Sequence, residues 1–316
     1  MLEIIQTLRK KAQESPKTIV FPESQDERVI EAIKCIEKEK IATPLLLSSD
    51  NIDVNKQDEF ANVFYERKKA KGITFEEARE IMEDPIYYAA MLVGSGYADG
   101  FVAGAMYTTS SVIRAALNCL EIDKSLGILS SCCVMAIPSC EYGEKGIIVY
   151  ADCGVVPYPT SEQLALIALS SAKFTKQVLG FEPRVAMLSF STKGSAHGRW
   201  VGKVKDAVEI AQSKTLEFLI DGELQADAAI VPEVAKIKVS KSTVAGSANV
   251  LIFPNLDAGN ICYKLTERLA GARAIGPIVL GTTKPCSDLS RGCSVDDIVD
   301  CTAITVVRSQ LKVNLS

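Results

Sequence analysis

The fold is decided by residues 17–47, which read KTIVFPESQDERVIEAIKCIEKEKIATPLLL. The run Lys17–Phe21 ends in consecutive apolar residues and predicts a buried strand. Between Val29 and Ile36 the apolar residues recur at helical spacing, which predicts a helix. A second apolar run, Leu45–Leu47, predicts another strand. A strand, a helix and a strand in this order are typical of a parallel sheet covered by helices.

The same alternation continues through the rest of the chain. Ser24 and Glu27 have the spacing of a capping box, which predicts that the first of these helices starts there. Further apolar runs predict strands at Phe101–Ala103, Ile147–Ala151, Val185–Phe190, Phe218–Ile220, Ala228–Val231, Val250–Phe253 and Ile278–Leu280. Patterns with one apolar stripe predict helices at Glu3–Gln13, Ser161–Leu179, Val204–Thr215, Asn260–Ala272 and Val295–Leu311. Because the strand runs are apolar on both faces, we expect an α/β fold of α/β/α layers with mainly parallel sheets.

Length, composition and charge exclude several classes of protein. The 316 residues suggest about two domains. A hydrophobic content of 47% and a charged content of 23% are typical of globular proteins and argue against disorder. The net charge of −4 provides no basic field for nucleic acid or for an anionic membrane. The longest uncharged stretch, Ser125–Cys140, is shorter than the ~20 residues that cross a bilayer. We therefore expect neither a nucleic-acid partner nor a membrane partner.

The cysteines and the missing phosphate motifs narrow the function further. The ten cysteines are scattered through apolar stretches, without a CxxC pair or a Cys/His cluster at zinc spacing. The lack of such a cluster predicts that the protein binds no metal. The N-terminus has no signal-peptide pattern, so we expect a cytoplasmic protein. The sequence lacks G-x-x-x-x-G-K-[ST], and Gly94, Gly96 and Gly100 do not match G-x-G-x-x-G. ATPase and ordinary dinucleotide-binding functions are therefore disfavoured.

One segment after a predicted strand offers groups that suit an anion. Thr108–Ser111 open a predicted helix that also carries Arg114. Hydroxyl groups and free N–H groups at a helix start bind anions, and arginine adds charge-assisted contacts to phosphate. An ordinary Ser/Thr cap with a surface arginine explains the same spacing.

Two further loop segments are less specific. Pro157–Pro159 form a stiff loop around Tyr158, which predicts either a pocket wall or a plain connection between elements. In residues 189–200, SFSTKGSAHGRW, Lys193 offers an ammonium group to a phosphate. His197 is either a general base or a surface histidine, and the lack of a neighbouring nucleophile motif favours the surface position.

The most informative segment is residues 281–300, GTTKPCSDLSRGCSVDDIVD. It carries a hydroxyl on Ser290, a guanidinium on Arg291 and carboxylates on Asp296 and Asp297. In acyl transfer a carboxylate accepts a proton, a hydroxyl donates to the carbonyl oxygen or the leaving group, and an arginine neutralises phosphate. An N-capped helix with an acidic first turn fits the same residues, with Ser294 as the predicted cap.

Seven motifs in order make the chain similar to one family. They read FPESQDERV, ADGFVAGAMYTTSSVIRAAL, CGVVPYPTSEQLA, SFSTKGSA, DGELQADAA, NVLIFPNLDAGNICYKL and PCSDLSRGCSVDDIV. Over almost its full length the chain resembles the phosphate acetyl/butyryltransferase family. The resemblance implies phosphate acetyltransferase activity, the reversible conversion of acetyl-CoA and phosphate into CoA and acetyl phosphate through a ternary complex. It implies no bound cofactor or metal, with coenzyme A as a substrate.

The resemblance also assigns roles to residues. The catalytic aspartate of the family falls on Asp297, and Ser290 and Arg291 match the motif before it. The helix-borne arginine that contacts CoA falls on Arg114. A further CoA-binding arginine aligns with Lys68, next to Arg67, so either side chain is a candidate. The candidate substrate-binding residues are then Arg67, Lys68, Thr108, Thr109, Ser110, Arg114, Tyr158 and Lys193.

The fold implied by the resemblance is isocitrate dehydrogenase-like. It has two α/β domains, residues 1–127 with 281–316 and residues 128–280, an active site in the cleft between them, and a homodimeric assembly. Three further positions depart from the family pattern. Tyr107 stands where a histidine is frequent, and Cys286 and Ser287 stand where Val-Asn is usual.

Other functions are alternatives to this one. Phosphate butyryltransferase activity, set by the size of the acyl pocket, is the alternative within the family. A non-catalytic CoA- or phosphate-binding protein of the same fold is the alternative from another class, and the intact Ser290, Arg291 and Asp297 argue against it. A decarboxylating dehydrogenase is disfavoured because the sequence shows no cluster of metal-binding aspartates.

Overall fold

The computed structural model describes residues 2–48 and 51–311. The chain forms two compact units. The flanking unit comprises Ile5–Ile122 and the chain from Thr282 onward, and the central unit is built mainly from Asp123–Gly281. Each unit contains a sheet with helices packed on it, which confirms the predicted α/β class. None of the described helices is long and apolar enough to cross a membrane.

The elements of the described residues alternate between strands and helices over most of the chain. The strands are β1 (Thr18–Phe21), β2 (Thr43–Leu46), β3 (Gly100–Ala103), β4 (Ser130–Ala136), β5 (Ile147–Ala151), β6 (Arg184–Leu188), β7 (Leu219–Leu224), β8 (Val250–Ile252), β9 (Arg273–Leu280) and β10 (Cys286–Asp288). The helices are α1 (Leu2–Glu14), α2 (Glu27–Glu39), α3 (Val54–Lys68), α4 (Phe75–Ile81), α5 (Pro85–Gly94), α6 (Thr109–Cys119), the distorted turn α7 (Tyr142–Lys145), α8 (Ser161–Phe174), α9 (Arg199–Lys214), α10 (Ala226–Ile230), α11 (Pro232–Lys238), α12 (Leu256–Leu269) and α13 (Val295–Gln310). A 3₁₀ turn follows α3, and a π turn continues α8 to Leu179.

The sheet of the flanking unit contains four parallel strands in the order β2-β1-β3-β10. Ile19 of β1 pairs with Gly100 of β3, and Ala103 of β3 pairs with Asp288 of β10. Helix α2 packs on α13, α5 packs on α6, and these helices contact the strands, so every residue of β3 is buried. Because the strands are parallel, the loops that follow β1, β3 and β10 leave the same edge of the sheet.

The sheet of the central unit has the order β9-β4-β5-β8-β6-β7. Strand β4 runs antiparallel to both of its neighbours, whereas β5, β8, β6 and β7 are parallel. Helix α8 packs on α9 and contacts the strands, and α12 also contacts the sheet. The sheets of the two units are therefore mainly parallel, as the apolar strand runs predicted.

Three local predictions need correction. Residues 228–231 were expected to form a strand, but they lie in α10 and at its end. A run of four apolar residues cannot distinguish a strand from a helix, and two alanines in it favour the helix. Ser24 does not cap α2; Asp26 does, by accepting a hydrogen bond from the N–H of Arg28 at 2.8 Å. The uncharged stretch after Ser125 contains the strand β4, for which no strand was predicted.

Candidate active site

The candidate site lies at the carboxyl edge of the sheet in the flanking unit. The loop after β1 carries Glu23 and Arg28, which lies at the start of α2. The loop after β3 leads to Thr108, and the loop after β10 carries Ser290 and Arg291. Open α/β sheets bind their ligands at this edge. The geometry of the three loops therefore decides which chemistry is possible.

Glu23 organises the loop after β3. Its side chain is buried, and its carboxylate oxygens accept hydrogen bonds at 2.7–3.2 Å from four consecutive backbone N–H groups, those of Gly104, Ala105, Met106 and Tyr107. Hydrogen bonds to an ionised group are stronger than those between neutral groups. The chain that leads into α6 is thereby held in one conformation.

Arg28 connects the loop after β3 to the loop after β10. Its Nη1 donates to the carbonyl oxygens of Arg291 at 2.8 Å and Cys293 at 3.0 Å. Its Nη2 donates to the carbonyl oxygen of Ala105 at 2.9 Å. The carboxylate of Asp26 lies 2.6 Å from Nη2, and this hydrogen bond lowers the pKa of Asp26. One guanidinium group thus fixes two loops relative to each other.

The roles of Glu23 and Arg28 were not predicted from the sequence. Both residues lie in the motif FPESQDERV, so their position was noted without a function. The available signal was a glutamate two positions after an apolar strand and an arginine at the start of the next helix. Because both side chains bind backbone groups of distant loops, no pattern of side chains reveals their partners.

The start of α6 matches its prediction. Thr108 is the N-cap, and its Oγ accepts a hydrogen bond from the N–H of Ser111 at 3.2 Å. The same oxygen lies 2.8 Å from the hydroxyl of Ser110 and 3.0 Å from that of Ser111. The N–H groups of Thr109 and Ser110 belong to the first turn, where a helix provides no acceptor for them. Hydroxyls and N–H groups at a helix start form a surface that suits an anion.

The loop after β10 turns sharply into α13. The N–H of Cys293 donates to the carbonyl oxygen of Ser290 at 2.9 Å, and the N–H of Gly292 donates to its Oγ at 3.3 Å. Ser294 caps α13, as predicted, by accepting from the N–H of Asp297 at 3.2 Å. In return Oδ2 of Asp297 accepts from the N–H of Ser294 at 2.9 Å and from its hydroxyl at 2.8 Å. This capping box orients the carboxylate of Asp297.

The two neighbouring aspartates of α13 have different surroundings. The side chain of Asp296 is 71% exposed and lies 3.5 Å from the guanidinium of Arg9. Asp297 is half-buried and bonded to Ser294. Asp296 is therefore an exposed charge, whereas Asp297 is a carboxylate held in one orientation. The sequence alone does not distinguish these two adjacent aspartates.

Three candidate cations lie along or near α6. Arg114 is exposed on this helix. The Nη1 of Arg67 donates to the carbonyl oxygen of Cys119, at the end of α6, at 2.7 Å. Partial burial lowers the pKa of Lys68, and the positive charges of Lys71 and Arg67 lower it further. Arg67 is thus engaged with backbone, and Lys68 is a desolvated cation beside it.

The remaining candidates belong to the central unit. Tyr158 is 70% exposed in its loop. The ammonium group of Lys193 contacts the carboxylate of Asp221 and donates to the carbonyl oxygen of Gly222 at 2.5 Å. His197 is exposed, in agreement with a surface position. Within residues 2–48 and 51–311, no group of three or more His, Cys, Asp or Glu side chains could hold a metal ion.

Comparisons with known proteins agree on one family. The sequence model described as "Phosphate acetyl/butaryl transferase" matches residues 3–306. The phosphate acetyltransferase of Acetivibrio thermocellus is 47% identical over 98% of this chain and 99% of its own length. That of Thermoanaerobacterium thermosaccharolyticum is 48% identical over 98% of this chain and 100% of its own length. The crystal structure of a phosphotransacetylase from Streptococcus pyogenes superposes with a TM-score of 0.90 at 36% identity, and the match covers 98% of this chain and 99% of that one.

Proposed function

The chain belongs to the phosphate acetyl/butyryltransferase family and is an acyltransferase, and we propose that Asp297 is the general base of its reaction. The reaction is the reversible conversion of acetyl-CoA and phosphate into CoA and acetyl phosphate. The observation that carries it is the match over residues 3–306, together with relatives at 47% and 48% identity that are named phosphate acetyltransferases.

The chemistry requires a base at the thiol of CoA. A thiol with a pKa of ~8.5 is only a few per cent ionised at neutral pH, so a carboxylate that accepts its proton raises the availability of the nucleophile. The sulfur then forms a bond to the acetyl carbon of acetyl phosphate, and the bond from that carbon to the phosphate oxygen breaks. Phosphate leaves with the electron pair and takes up the proton that Asp297 accepted from the thiol, which restores the carboxylate. Its capping-box contact with Ser294 supports this role, because it fixes the carboxylate at the site edge.

The phosphoryl group requires donors and positive charge. The hydroxyl of Ser290 and the guanidinium of Arg291 lie on the loop after β10, and the start of α6 presents Thr108, Thr109 and Ser110 on the neighbouring loop. We assign these groups to the phosphoryl oxygens and to the charge that develops on the leaving phosphate. Acetyl phosphate is already an activated acyl donor, so positioning and charge neutralisation suffice without a covalent intermediate.

The phosphate groups of CoA require further cations. Arg114 is exposed and lies on the helix that starts at the phosphoryl site, so we assign it to CoA. Of the adjacent pair, we favour Lys68, because Arg67 already donates to the carbonyl oxygen of Cys119. Tyr158 and Lys193 stay predictions, as do the homodimeric assembly and the cytoplasmic location.

The test is phosphate-dependent release of the CoA thiol by the purified protein. Acetyl-CoA should release CoA only when phosphate is present, and acetyl-CoA should react faster than butyryl-CoA. Faster turnover of butyryl-CoA would assign the chain to the butyryl branch. CoA release that is independent of phosphate would refute the acyltransfer reaction.

A further inference from the structure

A buried carboxyl group lies directly beneath the proposed phosphoryl site. Asp288 is the last residue of β10, two positions before Ser290, and is fully buried. Its backbone pairs with Ala103 of β3. Neither of its carboxyl oxygens accepts or donates a hydrogen bond of ordinary geometry among the described residues. A buried carboxyl group without such partners is costly, so its presence points to a use for its hydrogen-bonding capacity.

The loop after β3 is shaped around this carboxyl group. Gly104 has a φ of +114°, and a Cβ at this position would lie 2.7 Å from Oδ1 of Asp288 and 2.6 Å from the backbone of Leu289. Any other residue would collide with fixed atoms, so only glycine lets the two loops approach. Glu23 holds the N–H of Gly104 and thereby fixes the loop beside Asp288.

Groups on three elements face Asp288. Burial is the largest effect and raises its pKa to about 7, and the negative charge of Glu23 acts in the same direction. The side chain of Thr109, in the first turn of α6, and the positive charge of Arg291 lower it. Asp288 therefore exchanges its proton near neutral pH while it faces the helix start that we assign to phosphate.

We propose that Asp288 is a positioning residue that orients the Thr109 hydroxyl toward the phosphoryl group. The inference rests on the proposed function, since it assigns the start of α6 to phosphate. When Asp288 is protonated, its O–H donates to Oγ of Thr109, and the hydroxyl hydrogen of Thr109 is left to donate to a phosphoryl oxygen. When Asp288 is ionised, the Thr109 hydroxyl donates to the carboxylate instead, and its lone pairs face the phosphate.

The sign of the pH dependence follows from this arrangement. Protonated Asp288 is the competent form, so the affinity for phosphate falls as pH rises above about 7. If only the protonated form binds, the apparent Kd is the intrinsic Kd divided by the protonated fraction, and it rises about 30-fold between pH 6 and pH 8.5.

The test is calorimetric binding of inorganic phosphate to the wild type and to Asp288→Asn at pH 6 and pH 8.5. The amide of asparagine donates to Thr109 at every pH, so the ratio of wild-type Kd to variant Kd should rise about 30-fold between the two pH values. This ratio cancels the titration of phosphate itself. A ratio that stays constant would overturn the proposal, and so would the absence of phosphate binding by the wild type.

Two variants of Thr109 keep the test decisive if Asp288→Asn does not fold. Thr109→Val removes the hydroxyl and should weaken phosphate binding at both pH values without the extra loss at pH 8.5. Thr109→Ser keeps the hydroxyl and should keep that loss. Asp296→Asn, which changes an exposed charge outside the site, serves as the control and should follow the wild type. Equal pH profiles for the Val and Ser variants would refute the role of the hydroxyl.

The binding measurement separates this inference from the proposed function, because it requires no turnover. A protein that shows the expected pH-dependent phosphate binding but does not release CoA would refute the acyltransfer reaction and leave the role of Asp288 in place. A protein that releases CoA from acetyl-CoA but binds phosphate with the same pH dependence in the wild type and in Asp288→Asn would leave the acyltransfer reaction in place and refute the role of Asp288.

Discussion

At the scale of single residues, the site depends on side chains that bind backbone. Arg28 donates hydrogen bonds to carbonyl oxygens on the loops after β3 and β10. Glu23 accepts hydrogen bonds from four backbone N–H groups of the loop after β3. Such residues do not touch the proposed substrates in our assignment. They determine where Ser290, Arg291 and the start of α6 lie, and a displacement of reacting groups by about 1 Å can cost on the order of 10² in rate.

Replacing Arg28 by Met tests this positioning role. The variant keeps an unbranched side chain but loses every donor, so we expect kcat/KM to fall at least ~10-fold and stability to fall by about 2 kcal/mol. Steady-state kinetics and thermal unfolding measure the two effects. Lys34→Met, on the exposed face of the same helix, is the matched control. If both variants behave alike, Arg28 does not position the loops.

Replacing Arg114 by Ala tests the assignment of CoA. A guanidinium contact to a phosphate group contributes to binding in the ground state and in the transition state alike. We therefore expect KM for CoA to rise about 10–100-fold, with kcat and KM for acetyl phosphate changed little. Arg79→Ala, an exposed arginine of α4 paired with Asp58, is the control. A collapse of kcat at unchanged KM would place Arg114 in the chemical step.

The residues of the site could be predicted only in part. The types and spacing of Ser290, Arg291 and Asp297 indicated acyl transfer, and the family resemblance selected Asp297 over Asp296. The role of Asp288 was not predicted, because burial and the lack of a partner are properties of the folded chain. Lys68 is preferred over Arg67 for CoA only because Arg67 already donates to the carbonyl oxygen of Cys119. The sequence does not reveal this contact.

At the scale of helices and strands, local signals decided which predictions succeeded. Ser294 and Thr108 cap their helices as expected, because each precedes a strong helical pattern. Ser24 failed as a cap because Asp26, a residue type equally preferred at N-caps, lies closer to the start of α2. The strand β4 was not predicted, because its mixture of Ser, Cys and apolar residues shows no alternation along its length.

The capping box of α13 has a testable consequence for the reaction. Ser294→Ala should cost about 1 kcal/mol in stability, as N-cap replacements do. It should also lower kcat, because Oδ2 of Asp297 loses the hydrogen bond from the Ser294 hydroxyl and keeps only the one from the backbone N–H. Thr160→Ala removes an equivalent capping box from α8 and should cost similar stability with little effect on kcat. Equal kcat values in the two variants would show that the cap does not orient the base.

At the scale of the whole molecule, the α/β class and the mainly parallel sheets were predictable from apolar runs. The compact units divide after Ile122 and after Gly281. The domain ranges expected from the family stay a prediction, as does the homodimer. Composition could not locate a boundary, because the segments around it do not differ in charge or in their content of Pro, Gly and Ser.

The proposed reaction depends on Asp297 as the general base, and one comparison of variants tests this role most directly. The turnover number for phosphate-dependent release of CoA from acetyl-CoA is measured for the wild type, Asp297→Asn and Asp296→Asn. A general base contributes about 10²–10⁴-fold, so we predict that Asp297→Asn lowers kcat by that factor with little change in either KM. Asp296→Asn, which alters an exposed charge near Arg9, should keep nearly wild-type kcat. Wild-type turnover in Asp297→Asn, or loss of turnover in Asp296→Asn alone, would contradict the account.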